Sequence, residues 1–192
     1  MTKVRVLTTI LLSLFFATSA AANITLTIKP AVQTVPLGNT VDVAVNVSGL
    51  SEMTAPSMGA YDLDVLFDPS ILSFHSIAFV SQLDLSIQGS VRDYDDSTMG
   101  VLNAYEVSLE STLNLNSSQS GNFDLFTLTF DTLAQGFSNL DISVTALGDA
   151  GGMPLFCDVI GARISVIPAP TAFMLGGLGL GLVNLLRHRK VL

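Results

Sequence analysis

Between residues 41 and 47 the chain reads Val-Asp-Val-Ala-Val-Asn-Val, and a branched apolar side chain at every second position puts all four valines on one side of an extended strand. The same alternation recurs along the chain. Tyr61, Leu63, Val65 and Phe67 are spaced by Asp62, Asp64 and Leu66; Phe126, Leu128 and Phe130 repeat the pattern, as do Leu140, Ile142 and Val144, and then Ile164 and Val166. Turn-forming residues separate these runs at 36–39, 68–70, 93–100, 114–122 and 148–154. No long amphipathic helix precedes residue 167. Many short strands with regular punctuation predict an all-β chain, a two-sheet antiparallel sandwich forming one domain over residues 23–166.

The two ends follow a different logic. Lys3 and Arg5 precede an apolar run at 6–16, and small residues at Ala20 and Ala22 have the spacing of a cleavage site, so residues 1–22 are expected to form a signal helix that signal peptidase removes after Ala22. At the other end, Pro168 and Pro170 stop the last strand, residues 172–186 are mostly apolar, and Arg187, His188, Arg189 and Lys190 close the tail. As a transmembrane helix that run spans about 22 Å, against roughly 30 Å of hydrocarbon. Its basic flank points the end towards the cytoplasm and leaves the sandwich outside. Setting these segments aside leaves three bases, Lys29, Arg92 and Arg163, against all sixteen acids, a net charge of −13. Such a surface repels nucleic acid and attracts cations or basic partners.

Chemistry-bearing clusters are few. A single cysteine, Cys157, excludes an intrachain disulfide, and its neighbours Leu155 and Phe156 read it as a small buried hydrophobe. His75, the one histidine of the domain, is expected in the core or at an edge, and with no nucleophile elbow a Ser-His-Asp set does not assemble. Carboxylate pairs can be drawn from Asp62, Asp64, Glu106 or Glu110, but sixteen scattered acids always offer pairs. No enzyme is expected and no cofactor. Asp93, Asp95 and Asp96 fall in one expected loop and offer hard oxygen ligands for calcium, although without EF-hand spacing a polar turn is the first reading.

Two stretches resemble known families. Residues 38–50 (Gly-Asn-Thr-Val-Asp-Val-Ala-Val-Asn-Val-Ser-Gly-Leu) and residues 59–74, with Phe67-Asp68-Pro69 followed by Leu72, look like the opening half of a cohesin domain; residues 148–154 and 161–166 are similar to its last strands. The resemblance implies a jelly-roll sandwich of about nine strands that binds other molecules and catalyses nothing. In cohesins the partner is a dockerin, gripped on the flat sheet that includes the strand before the aromatic-Asp-Pro turn. By that resemblance Asp62 stands where the family carries its recognition Asp, with Asp64 beside it on the outer face, and Ala60 replaces the family's Asn. The tail, with Pro168-Ala169-Pro170, an apolar run and a basic end, resembles the PEP-CTERM sorting signal of Gram-negative bacteria, with Ala169 in place of the usual Glu. That resemblance implies recognition by an exosortase, transient residence in the membrane, and cleavage near residues 168–171. The combined expectation is a protein exported across the bacterial inner membrane and bound for the cell surface or matrix, where it binds an extracellular protein. The alternative is a carbohydrate-binding module associated with exopolysaccharide.

Overall fold

Val41, Val43, Val45 and Val47 all turn inward on one nine-residue strand, β3 (Thr40–Ser48), as their spacing requires. In the computed structural model, which describes residues 23–80 and 82–169, β3 is the middle strand of a five-stranded sheet. That sheet runs β10 (Cys157–Ile160), β1 (Ile24–Lys29), β3, β8 (Asn122–Thr132), β5 (Leu72–Phe79). A six-stranded sheet packs over it in the order β2 (Val32–Pro36), β11 (Ala162–Ile167), β9 (Gly136–Asp149), β4 (Met58–Leu66), β7 (Val101–Ser108), β6 (Ser90–Asp95). Among the described residues, the core forms one cluster between Ile24 and Val166. The expected signal helix at 1–22, Pro170, the apolar run 172–186 and Arg187, Arg189 and Lys190 lie outside the described residues. Among those described, no helix is long and apolar enough to cross a membrane.

Several expectations need correction. Eleven strands form among the described residues rather than about nine, because the short edge segments β2 and β10 pair with β11 and β1. Both of these pairings are parallel, so the sandwich is antiparallel only in the rest of its ladders. The expected turn at 114–122 begins as a helix, α1 (Thr112–Ser118), because the Ser111 side chain accepts from the Asn114 amide at 3.2 Å and starts a helical turn. Asn46, a polar residue within β3, is only 3% exposed. It lies on the outer face between inward Val45 and Val47, and neighbouring side chains cover it there: its Oδ1 accepts from Lys29 Nζ at 2.8 Å, and its Nδ2 donates to Asp124 Oδ1 at 2.8 Å and Asn122 Oδ1 at 3.1 Å.

The Phe67-Asp68-Pro69 element behaves as its residues suggest. The Asp68 carbonyl accepts from the Ile71 and Leu72 amides at 3.1 and 3.0 Å, which folds the chain back and buries Leu72, while the Phe67 ring lies 5.0 Å from that of Phe130. Gly100 closes over the turn with φ +78°, and a Cβ there would lie 2.9 Å from the Phe67 carbonyl oxygen, so only glycine fits. Beyond α1, the buried Gln119 amide replaces a missing strand neighbour. Its Oε1 accepts from the Met58 amide at 2.6 Å and its Nε2 donates to the Met58 carbonyl at 2.9 Å, pairing the first residue of β4.

One carboxylate points into this core. Glu106 on β7 is wholly buried, with Oε2 accepting from the Tyr61 hydroxyl at 3.1 Å, Oε1 from Ser90 Oγ at 2.6 Å, and Arg92 Nη1 3.7 Å from Oε1. Burial, and then the negative Glu106 beside it, push the Tyr61 hydroxyl well above its ordinary value of 10.0. A group whose pKa is raised in the folded state stabilises fully below the unfolded value and loses that contribution as pH climbs towards the folded one. Unfolding free energy is therefore expected to hold steady as pH rises to about 10 and to fall above it. Urea titrations across pH 8–11 check this, and Tyr61→Phe should flatten the alkaline decline.

The strand directions also fix where the chain enters and leaves. Thr25 pairs with Ser48, so β1 starts at the end of the sandwich where β3 finishes. Val166 pairs with Gly136 and the Ile167 carbonyl accepts from Leu37, so β11 finishes at the opposite end, among the loops at 37–39, 67–71 and 133–135.

Candidate partner-binding face

Residues paired across a sheet share a face, so the registers of β6, β7, β4 and β9 define the outer surface of the six-stranded sheet. One row reads Asp95, Asn103, Asp64, Ser143; the next reads Asp93, Tyr105, Asp62, Ala146; a third reads Val91, Val107, Ala60, Gly148. Asp62 and Asp64 are thus outside, because Tyr61, Leu63 and Val65 fill the inside. The structure brings them onto the same surface as Asp93 and Asp95. Asn103 lies between, and its single Nδ2 donates to Asp62 Oδ1 at 2.7 Å and Asp64 Oδ1 at 2.9 Å, holding two like charges side by side. Val91 and Val107, both about half exposed, give the same face an apolar strip.

The cluster expected in one loop divides differently. Asp93 and Asp95 lie on β6, and only Asp96 is in the turn that follows. Asp95 Oδ1 accepts from the Ser97 amide at 2.8 Å, and that hydrogen bond holds its carboxyl below the usual range. Among the described residues, no three His, Cys, Asp or Glu side chains converge as a metal ion would need. The fit of these residues to calcium is therefore poor.

The remaining sequence candidates are dispersed. Glu106 points inward and cannot pair with Asp62 or Asp64, which face the other side of the sheet. Glu110 sits in a loop where Ser86 and Asn114 donate to it and hold its carboxyl below the usual range. His75 is exposed on the edge strand β5, with Nδ1 3.0 Å from Asp131 Oδ2. Cys157 lies on the opposite edge, half-buried rather than buried, and partial burial followed by the neighbouring Asp158 charge push its thiol up, away from the reactive thiolate. Pro168 and Ala169 follow β11 directly.

Sequence reasoning did not single out the residues at the exit end of this face. There β4 has ended at Leu66, and a hollow of about 310 Å³ opens over the start of β9, lined by Leu66, Phe67, Asp68, Phe137, Asn139 and Asp141. Phe137 is half exposed, and the Arg163 guanidinium stacks over its ring at 3.9 Å. Period two placed Leu140 and Ile142 inside, and its extension outward to Phe137, Asn139 and Asp141 was the available signal.

No protein-family model and no curated protein matches the chain. In fold, however, it is a cohesin-like β-sandwich. It superposes on the sixth cohesin of scaffoldin B from Acetivibrio cellulolyticus, solved in complex with a dockerin, with a TM-score of 0.60, 18% identity, and coverage of 76% of this chain and 99% of that one. A non-cellulosomal cohesin from the archaeon Archaeoglobus fulgidus gives 0.59 and 15%, covering 80% and 97%. A cohesin from a type I cohesin–dockerin complex of Clostridium thermocellum gives 0.60 and 11%, covering 76% and 99%.

Proposed function

We propose that the chain is a non-enzymatic binding module that holds a protein partner on the outer face of its six-stranded sheet. The observation that carries this reading is the array of Asp62, Asp64, Asn103, Tyr105, Asp93 and Asp95 on one face beside the Val91–Val107 strip, a polar surface with an apolar flank such as protein interfaces use. Similarly folded cohesins bind dockerins, which supports a protein as the partner class. The chain is exported behind the signal peptide at 1–22, sorted by an exosortase through Pro168-Ala169-Pro170 and the basic end, and delivered to the cell surface or extracellular space. Intact mass of the protein from its own host tests delivery: a product starting at Asn23 and ending near Pro170 supports it, and one that keeps Arg187 to the end overturns it.

Binding is tested by titrating residues 23–169 with dockerin modules and with proteins secreted by the same host. Replacing both Asp62 and Asp64 by Lys is expected to weaken the complex at least about tenfold, since like charge at an interface costs several kcal/mol. A complex indifferent to that double variant places the partner elsewhere.

A further inference from the structure

The two outer faces of the sandwich carry similar numbers of carboxylates, and neutral donors serve most of those on both. On the five-stranded sheet Asp42 accepts from Thr129, Asp124 from Asn46 and Asp158 from Asn23, and Asp131 pairs with His75; on the six-stranded sheet Asn103 serves Asp62 and Asp64, and the Tyr94 and Ser97 amides serve Asp93 and Asp95. On the six-stranded sheet, Asp62, Asp64, Asp93, Asp95 and Asp141 meet no cation. The ion pairs that form among the described residues, His75 with Asp131 and Arg92 with Glu106, include none of the five. Lys29 is spent on Asn46 of the other sheet, and Arg163 lies over Phe137. Five like charges on one face are held together at a cost that an external cation would relieve.

The hollow beside Phe137 shows what form such a cation takes. Its lining combines the apolar Phe137, Phe67 and Leu66 with the acidic Asp68 and Asp141 and with Asn139. Asp68 Oδ1 takes the Ser70 amide at 2.9 Å and the Ser70 hydroxyl at 2.6 Å, which keeps the carboxyl ionised and leaves Oδ2 for a visitor. Arg163 already lies on the Phe137 ring, fixing the wall, and its single charge is outweighed by the two carboxylates. A long side chain with an apolar stem and a cationic head matches this lining, stem against Phe137 and Leu66, head against Asp68 and Asp141.

The geometry points to a basic segment as the partner's docking element, with one Lys or Arg side chain seated in the Phe137 hollow and its other bases along Asp62 and Asp64. This rests on the docking face proposed above and names its partner's chemistry. Labelled protein of residues 23–169 is titrated with a heptapeptide, Gly-Lys-Gly-Arg-Gly-Lys-Gly, with its glutamine-substituted counterpart, and with a neutral glucan hexasaccharide, while amide NMR signals are followed. The basic peptide is expected to move the signals of residues 137–141 and 62–64, and the glutamine peptide to leave them. Phe137→Ala and Asp141→Asn, both at exposed positions, are each expected to weaken binding about fivefold, and raising salt from about 0.05 to about 0.3 M to weaken it at least about threefold. Basic-peptide shifts that are absent, confined to the five-stranded face, or unchanged in Phe137→Ala overturn the inference. So does a hexasaccharide that moves residues 137–141 while the peptide does not, which would assign the hollow to a glycan. If partner binding is lost in the double Asp62/Asp64 variant while the basic peptide is silent, the docking face stands and only its basic partner falls.

Discussion

Replacing Glu106 by alanine is expected to lower the unfolding free energy by about 3–5 kcal/mol, the cost of breaking a buried, hydrogen-bonded charge network from one side. The loss comes less from the missing carboxylate than from what it leaves behind. Tyr61, wholly inside the sandwich, would keep a hydroxyl with no acceptor, Ser90 would lose its 2.6 Å bond, and Arg92 would face the core edge without its counter-charge. Glu106→Gln separates these effects. The amide oxygen can still accept from Tyr61 or Ser90, so the expected loss is smaller, about 1–2 kcal/mol. Urea denaturation measures both; equal losses in the two variants would show that shape rather than hydrogen bonding sets the value.

Phe130→Ala is expected to cost about 3–5 kcal/mol as well, by a different route. Phe130 is fully buried near the end of β8 and holds two other rings, Phe67 at 5.0 Å and Phe74 at 6.5 Å, the second of which leans on Tyr94 at 5.4 Å. These rings come from the 67–72 turn, β5 and β6, so removing the central one leaves a void where the two sheets meet at the exit end. The urea slope should stay unchanged while the midpoint drops. Phe130→Leu, which fills most of the space, should recover more than half of the loss.

How far the sequence could be read depended on whether a residue's neighbours along the chain told the truth about its neighbours in space. β3 and β4 did so, since Val41 to Val47 and Tyr61 to Val65 keep strict alternation, and Asp62 and Asp64 were outward for that reason alone. β7 did not. Its inward set is Leu102, Ala104 and Glu106, and a carboxylate in the third place breaks the apolar rhythm that marks a strand. Its partner β6 is exposed along nearly its whole length, so Asp93 and Asp95 looked like loop. Their meeting with Asp62 and Asp64 depends on pairing across β7, a long-range register that no local pattern carries. The Thr112–Ser118 helix, rich in Asn and Ser, shows no helical period because only Leu115 is buried.

The opposed ends of β1 and β11 bear on how the module responds when pulled. A chain held at one end of the sandwich and drawn from the other loads both terminal strands along their own length. β1 would have to slide past β3 and β10, and β11 past β9 and β2, so that a whole ladder of backbone hydrogen bonds strains at once instead of opening one pair at a time. Rupture under tension is governed by the unfolding barrier rather than by equilibrium stability. Tension applied between the first and last strands would therefore be borne in shear by strands and not by turns.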